Sequence, residues 1–182
     1  MKKRCDWAKN EPNITYHDIE WGVPQHDDKK LFEFLILEGA QAGLSWSTIL
    51  NRREGYRDAF SNFDVVAVSK YTQNHVKKLV QNKDIIRNKL KINSAINNAK
   101  QFIKIQKEFG SFDEYLWGFV NHKPIKNNFK KYSDLVCSSI ISEKLSQDLK
   151  KHGFTFVGPI ICYSLMQAVG MVNDHTVDCF RY

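Results

Sequence analysis

The feature that most limits what this chain can become is its hydrophobic period. Apolar residues recur at three- and four-residue spacing almost throughout, and no segment alternates convincingly with the period of two that a half-buried strand needs. A chain of amphipathic helices buries its apolar stripes against one another, so the expected fold class is all-α. Asp27 or Asp28 is placed to cap a helix running to about Ala40, with Leu31, Phe32, Leu35 and Ile36 inward. Ser45 is placed to cap a second through Trp46, Ile49, Leu50, Tyr56 and Phe60, and Thr72 a third through Val76 to Val80. A long helix is expected from about Asp84 to Phe109, with Ile86, Leu90, Ile96, Ala99 and Ile103 recurring on one side and Gly110 closing it. Ser111 opens another through Tyr115, Leu116 and Phe119. At 182 residues with no internal repeat or linker tract, residues 1–182 read as a single domain.

The last apolar element is the most specific. A helix near 142–151 stops at Gly153, and the stretch Gly153-Phe-Thr-Phe-Val-Gly158-Pro159 turns into a helix from Ile160 to Val169. Pro159 sits where a first helical turn tolerates it. The pattern over 142–170 is therefore helix, tight hairpin, helix. Backbone N–H groups at such a turn, with the helix dipole behind them, suit a phosphate oxygen; a buried helical hairpin with a glycine turn has the same sequence pattern.

Charge points the same way. The net charge of +7 is regional: residues 70–131 hold fourteen Lys and Arg against four Asp and Glu. A basic region favours a polyanion such as nucleic acid, or is simply a solvated lysine-rich face. No apolar run reaches membrane-spanning length, since Val157 to Val172 is interrupted by Ser164 and Gln167, and the basic start lacks the apolar core of a secretory signal. A soluble, cytoplasmic protein with no membrane partner is expected. In that setting Cys5, Cys137, Cys162 and Cys179 do not read as a disulfide framework.

Two constellations stand out. His175 and Cys179 are four residues apart, so on a helix they would share a face; with Cys5 and His17 they make a Cys₂His₂ set suited to a structural zinc ion, while two ordinary Cys and His pairs are the alternative. Cys137 and Cys162 read as plain buried cysteines. Glu38 falls on the helix face of Leu31 and Leu35, with Glu33 and Lys29 on the other. Such a carboxyl either bends out at the helix end near Gly39 or is a buried group in a pocket. Trp7, Tyr16, Trp21 and Trp46 are either core or the walls of a slot for a flat ring whose edge Glu38 reads.

The motifs Tyr16-His17-Asp18, Glu20-Trp21-Gly22-Val23-Pro24, Leu37-Glu38-Gly39, Gln41-Ala42-Gly43-Leu44-Ser45-Trp46, Phe119-Val120-Asn121-His122, Gly153 to Gly158 and Asn173-Asp174-His175, taken together, resemble those of bacterial DNA-3-methyladenine glycosylase I. The resemblance spans essentially the whole chain. It implies the helix-hairpin-helix glycosylase fold, two helical lobes flanking a cleft, with one structural zinc joining the N- and C-terminal segments through Cys5, His17, His175 and Cys179. It implies a monofunctional glycosylase, acting as a monomer on double-stranded DNA, that flips out 3-methyladenine, hydrolyses its glycosidic bond and releases the free base. Trp46 would stack on the base, Glu38 and Tyr16 would bond its edge, and Trp7 and Trp21 would complete the pocket. Gly43 and Leu44 would fill the vacated space, and Val157 and Gly158 would hold a backbone phosphate. Asp174 lies where relatives of the same fold carry an aspartate that assists base departure, and it is left without a role. Phe156 stands where a first hairpin glycine is usual. The alternatives are a non-enzymatic helix-hairpin-helix DNA-binding module, in which Glu38 is incidental, and a zinc-stabilised interaction domain.

Overall fold

The computed structural model describes residues 2–182, and its secondary structure is almost entirely helical. Ten α-helices follow in order: α1 (Asn13–Ile19), α2 (Asp28–Gln41), α3 (Trp46–Leu50), α4 (Arg53–Ala59), α5 (Val65–Ser69), α6 (Gln73–Leu79), α7 (Lys89–Phe109), α8 (Phe112–Gly118), α9 (Ile140–Lys151) and α10 (Pro159–Ala168). The Asp27 carboxylate accepts from the Lys30 amide and starts α2, and Ser45 does the same for α3 through the Thr48 amide. None of the described helices is long and apolar enough to cross a membrane.

Helix α2 is the axis. Leu31 to Glu38 are all buried, because it is covered on every side rather than along one stripe. A larger group of helices is built on α7, which packs against α2, α5, α6 and α8. A second group, α9 and α10 with the C-terminal segment, meets α2 from the other side through α10. The two groups match the two lobes that the resemblance implies, and the cleft between them lies over the C-terminal half of α2.

Several local expectations are corrected. The helix expected from Ser45 to Phe60 breaks at Asn51 and Arg52. The long helix starts at Lys89, where Asn88 accepts from the Leu90 and Lys91 amides, rather than at Asp84. The reason is a close approach: a Cβ on Gly55 would lie 2.3 Å from the Asp84 carbonyl oxygen, so residues before 88 are laid across α4 instead of coiling. Its inward stripe is Ile92, Ala95, Ala99, Phe102 and Ile105, and Leu90 is exposed. Two helices, α1 and α5, went unforeseen because each is short. A two-residue parallel ladder also pairs Ile125 with Val172 and Lys126 with Asn173, too brief to leave a period in the sequence. It ties the segment after α8 to the one that leads into Asp174 and His175.

Candidate active site

Glu38 sits one turn before the end of α2 with its carboxyl at the base of the cleft. It is 3 % exposed and accepts no hydrogen bond from any described residue. Burial alone pushes its pKa up to about 8. Around it are aromatic rings from four segments. Tyr16 comes from α1, Trp46 from the first turn of α3, and Trp7 and Trp21 from the loops flanking α1. Tyr16 and Trp46 have ring centroids 5.3 Å apart, and Trp7 meets Trp21 edge-on at 5.0 Å. The cleft has a volume of about 690 Å³, room for a purine and its sugar. The buried Trp46 indole N–H and the Asn13 side-chain oxygen have no partner among the described residues. Desolvation together with the nearby Glu38 and Glu20 carboxyls holds the Tyr16 phenol well above its usual pKa, so it remains a neutral donor.

At the lip of the cleft, α2 ends in a loop that needs glycine: Gly43 has φ +77°, in the left-handed region. The loop is held from both sides. The Leu44 amide donates to the Gln41 carbonyl at 2.7 Å, and Lys91 from α7 donates to the carbonyls of Ala40 and Ala42 at 2.7 and 2.6 Å. Leu44 is left projecting, 39 % exposed.

The hairpin from His152 to Gly158 joins α9 to α10, and Pro159 is the first residue of α10. Phe156 takes the left-handed conformation, φ +55°, at the position where glycine was the usual expectation, and its backbone lies against Gly39 next to Glu38. Val157 is buried. The amides of Val157 and Gly158 donate to no described residue. Gly158 has an ordinary φ of −64°, and a Cβ there would meet nothing, so neither conformation nor packing within the chain calls for glycine.

The chain ends meet behind the Trp21 wall. Ligand atoms of Cys5, His17 and Cys179 all lie within 4.8 Å of one another, and all three residues are buried. His17 Nε2 is 3.4 Å from Cys179 Sγ, while its Nδ1 faces Asp18 at 2.8 Å. Arg4 grips that Asp18 carboxylate with two nitrogens and, with His17, holds its pKa down to about 2. The His175 ring lies 4.9 Å from that of His17, with Nδ1 bonded to the Asn173 side-chain oxygen and a buried Nε2 that has no partner among the described residues. Burial lowers His175 to about 4, so the imidazole is neutral and Nε2 carries a free lone pair. Each histidine thus has Nδ1 bonded away from the cluster, while His17 Nε2 faces the Cys5 amide and Cys179 Sγ, each at 3.4 Å; Cys5, His17 and Cys179 are a donor set that fits zinc, and His175 lies beside that group rather than within it. His175 and Cys179 do not share a helix face, however. The segment is a turn in which the Cys179 amide bonds the Thr176 carbonyl, because the C-terminal residues are laid against Lys3 and Phe129 rather than coiling.

The family model for methyladenine glycosylases matches residues 7–182. The chain belongs to that family. DNA-3-methyladenine glycosylase 1 of Escherichia coli is 48% identical over 181 residues, 99% of this chain and 97% of that protein. A crystal structure of 3-methyladenine DNA glycosylase I superposes with a TM-score of 0.95 at 45% identity, covering 98% of both chains. A variant of 3-methyladenine DNA glycosylase I in complex with 3-methyladenine has the same TM-score at 35% identity, covering 98% of this chain and 96% of that one.

For a methyladenine glycosylase, sequence reasoning missed part of the cleft. Asn13, Gln41, Tyr163 and Gln167 line it, and so does the segment from Tyr132 to Cys137. Cys137 is exposed there, not buried, because the segment around it is irregular and has no apolar face to bury; Cys162 is buried as expected. Glu33 was placed on the outer face of α2 but is 3 % exposed, paired with Arg53 at 2.7 Å, with Lys30 at 2.9 Å and with Arg57. Only for Gln167 and Tyr163 was there a usable signal: with Ser164 they are the polar groups of a mostly apolar helix, and they stand at i and i+4.

Proposed function

We infer that this methyladenine glycosylase is a DNA-3-methyladenine glycosylase, hydrolysing the N-glycosidic bond of 3-methyladenine in double-stranded DNA, releasing the free base and so beginning base excision repair. One observation carries the reading: in a family of this name, Glu38 is a buried carboxyl without an internal partner at the base of an aromatic cleft. The co-structure of the relative with 3-methyladenine supports the choice of base.

The nucleotide is extruded, because its glycosidic bond and base edge are inaccessible in the stack. Methylation at N3 makes the adenine ring cationic. Its face is held by the electron-rich Trp46 ring, and its edge by Glu38 and Tyr16. A cation beside Glu38 favours the ionised carboxylate, so entry of the base offsets the desolvation that raises its pKa. A neutral adenine gains no such charge pairing. As the C1′–N9 bond breaks, its electron pair passes to the ring and neutralises it. A water oxygen bonds C1′, and the water proton is released. Leu44, presented by Gly43, fills the gap in the duplex. Val157 and Gly158 hold a backbone phosphate through their amides. Lys91 is committed to two carbonyls, which suits a monofunctional enzyme without Schiff-base chemistry. Cys5, His17 and Cys179, with His175 beside them, would hold one zinc ion and so tie the chain ends together behind Trp21, away from the reacting base.

The test is base-release analysis after incubation with alkylated DNA: free 3-methyladenine is expected, and its absence overturns the assignment. Glu38→Gln and Trp46→Ala should lose excision while keeping affinity for duplex DNA. A DNA-binding module without catalysis would show no difference between these variants and the parent.

A further inference from the structure

Asp174 is 1 % exposed and is not itself a wall of the cleft, yet three donors converge on it. Tyr163 donates its hydroxyl to Oδ2 at 2.8 Å, Gln167 its amide nitrogen to the same oxygen at 2.8 Å, and Asn127 its amide nitrogen to Oδ1 at 2.7 Å. Tyr163 and Gln167 lie one turn apart on α10, and both line the cleft. The buried carboxylate therefore stands behind the wall and draws two of the wall's donors away from the bound base. The Gln167 side-chain oxygen is bonded to no described residue. With the Glu38 carboxyl and the Asn13 oxygen it makes the uncommitted groups of the cleft largely acceptors, opposed by the donors of Tyr16 and Trp46.

We propose that Asp174 is a positioning residue that orients Gln167 and Tyr163, so that the cleft offers Gln167 as a further acceptor to a base that donates from its exocyclic amino group and no longer accepts at N3. This deepens the base-excision reading and rests on it. An alkylated adenine has an exocyclic amino group to donate and has lost the acceptor at N3, so a wall that turns its donors backward suits it. Unmodified adenine keeps the N3 lone pair and finds no donor on this wall, leaving a polar group desolvated and unpaired. Discrimination by unpaired groups of this kind is strong because burial withholds water as a substitute partner.

The experiment measures the affinity of free 3-methyladenine and free adenine by tryptophan fluorescence, duplex affinity, and kcat and KM for base release. It uses the metal-replete protein and Asp174→Asn, Gln167→Ala and the double variant. The first two are expected to weaken 3-methyladenine binding about tenfold each and to narrow its advantage over adenine, with unmodified-duplex affinity unchanged. Because both act through one wall, the double variant should be no worse than the weaker single variant. Zinc content and melting temperature distinguish a loss through the neighbouring His175. Equal affinity for 3-methyladenine in parent and folded Asp174→Asn overturns the proposal, as does a parallel loss of base and duplex binding. If Asp174→Asn does not fold, Gln167→Ala and Tyr163→Phe decide by the same criteria. A parent protein that binds neither base overturns the base-excision reading instead.

Discussion

Glu38 shows how a single residue can cost stability for the sake of a site. Its pKa near 8 arises from burial, so the folded state holds a proton that the unfolded chain releases at an ordinary carboxyl pKa near 4.5. The linkage sign follows: stability is undiminished below about pH 4.5 and falls as pH rises through 8, because the unfolded state then binds fewer protons than the native one. Glu38→Gln should therefore be more stable than the parent at pH 9 by on the order of a few kcal/mol in chemical denaturation, and the difference should vanish near pH 4. The same group sets the expected activity profile. If the carboxylate binds the cationic base, kcat/KM for release rises with pH and levels off near 8, and Glu38→Gln removes that limb along with most of the activity. Its burial was half legible in the sequence, since it shares a face with Leu31 and Leu35. Glu33 was misread because its partner Arg53 lies on another helix, and no period within α2 can announce an ion pair made across helices.

At the scale of elements, the hairpin before α10 is held by α7 as much as by its own turn. Asn98, buried in α7, donates to the Thr155 carbonyl and accepts from the Thr155 amide, each at 2.9 Å, as a strand would. Ser94 donates to the same carbonyl at 3.1 Å, and Asn97 to the Gly153 carbonyl at 2.8 Å. Asn98→Ala leaves the Thr155 amide unpaired and its carbonyl with Ser94 alone, and should cost about 1–3 kcal/mol in chemical denaturation. It should also weaken duplex binding, measured by fluorescence anisotropy, more than binding of free 3-methyladenine, because the hairpin is proposed to hold the phosphate and α2 the base. The hairpin itself could be read from Gly153, Gly158 and Pro159. Its anchorage could not, since asparagines on a lysine-rich helix look like ordinary solvated residues until the partner element is known.

For the molecule as a whole, the chain ends and the basic surface make separate predictions. Removal of metal by a chelator should lower the melting temperature, and added zinc should restore it, because an ion bound only by the folded chain stabilises by mass action. Burial pushes the Cys5 thiol up to about 11, so without a cation it stays protonated, and metal uptake should release protons measurably in a weakly buffered titration. Lys77 and Lys78 are exposed on α6, far in sequence from every proposed base contact. Replacing both with glutamine should reduce the salt dependence of duplex binding by up to about two counterions while leaving the affinity for 3-methyladenine unchanged. The sequence by itself determined the helical class, the glycine-and-proline hairpin, the family motifs and the regional charge, because each is a local pattern or a sum over residues. The tertiary structure alone decided that α2 is buried on every face, that Asp174 stands behind the cleft wall, and that Cys179 reaches Cys5 and His17 from a turn rather than a helix. Those facts depend on which segments meet in space, and burial, desolvation and hydrogen-bond satisfaction are properties of such meetings rather than of any one stretch of chain.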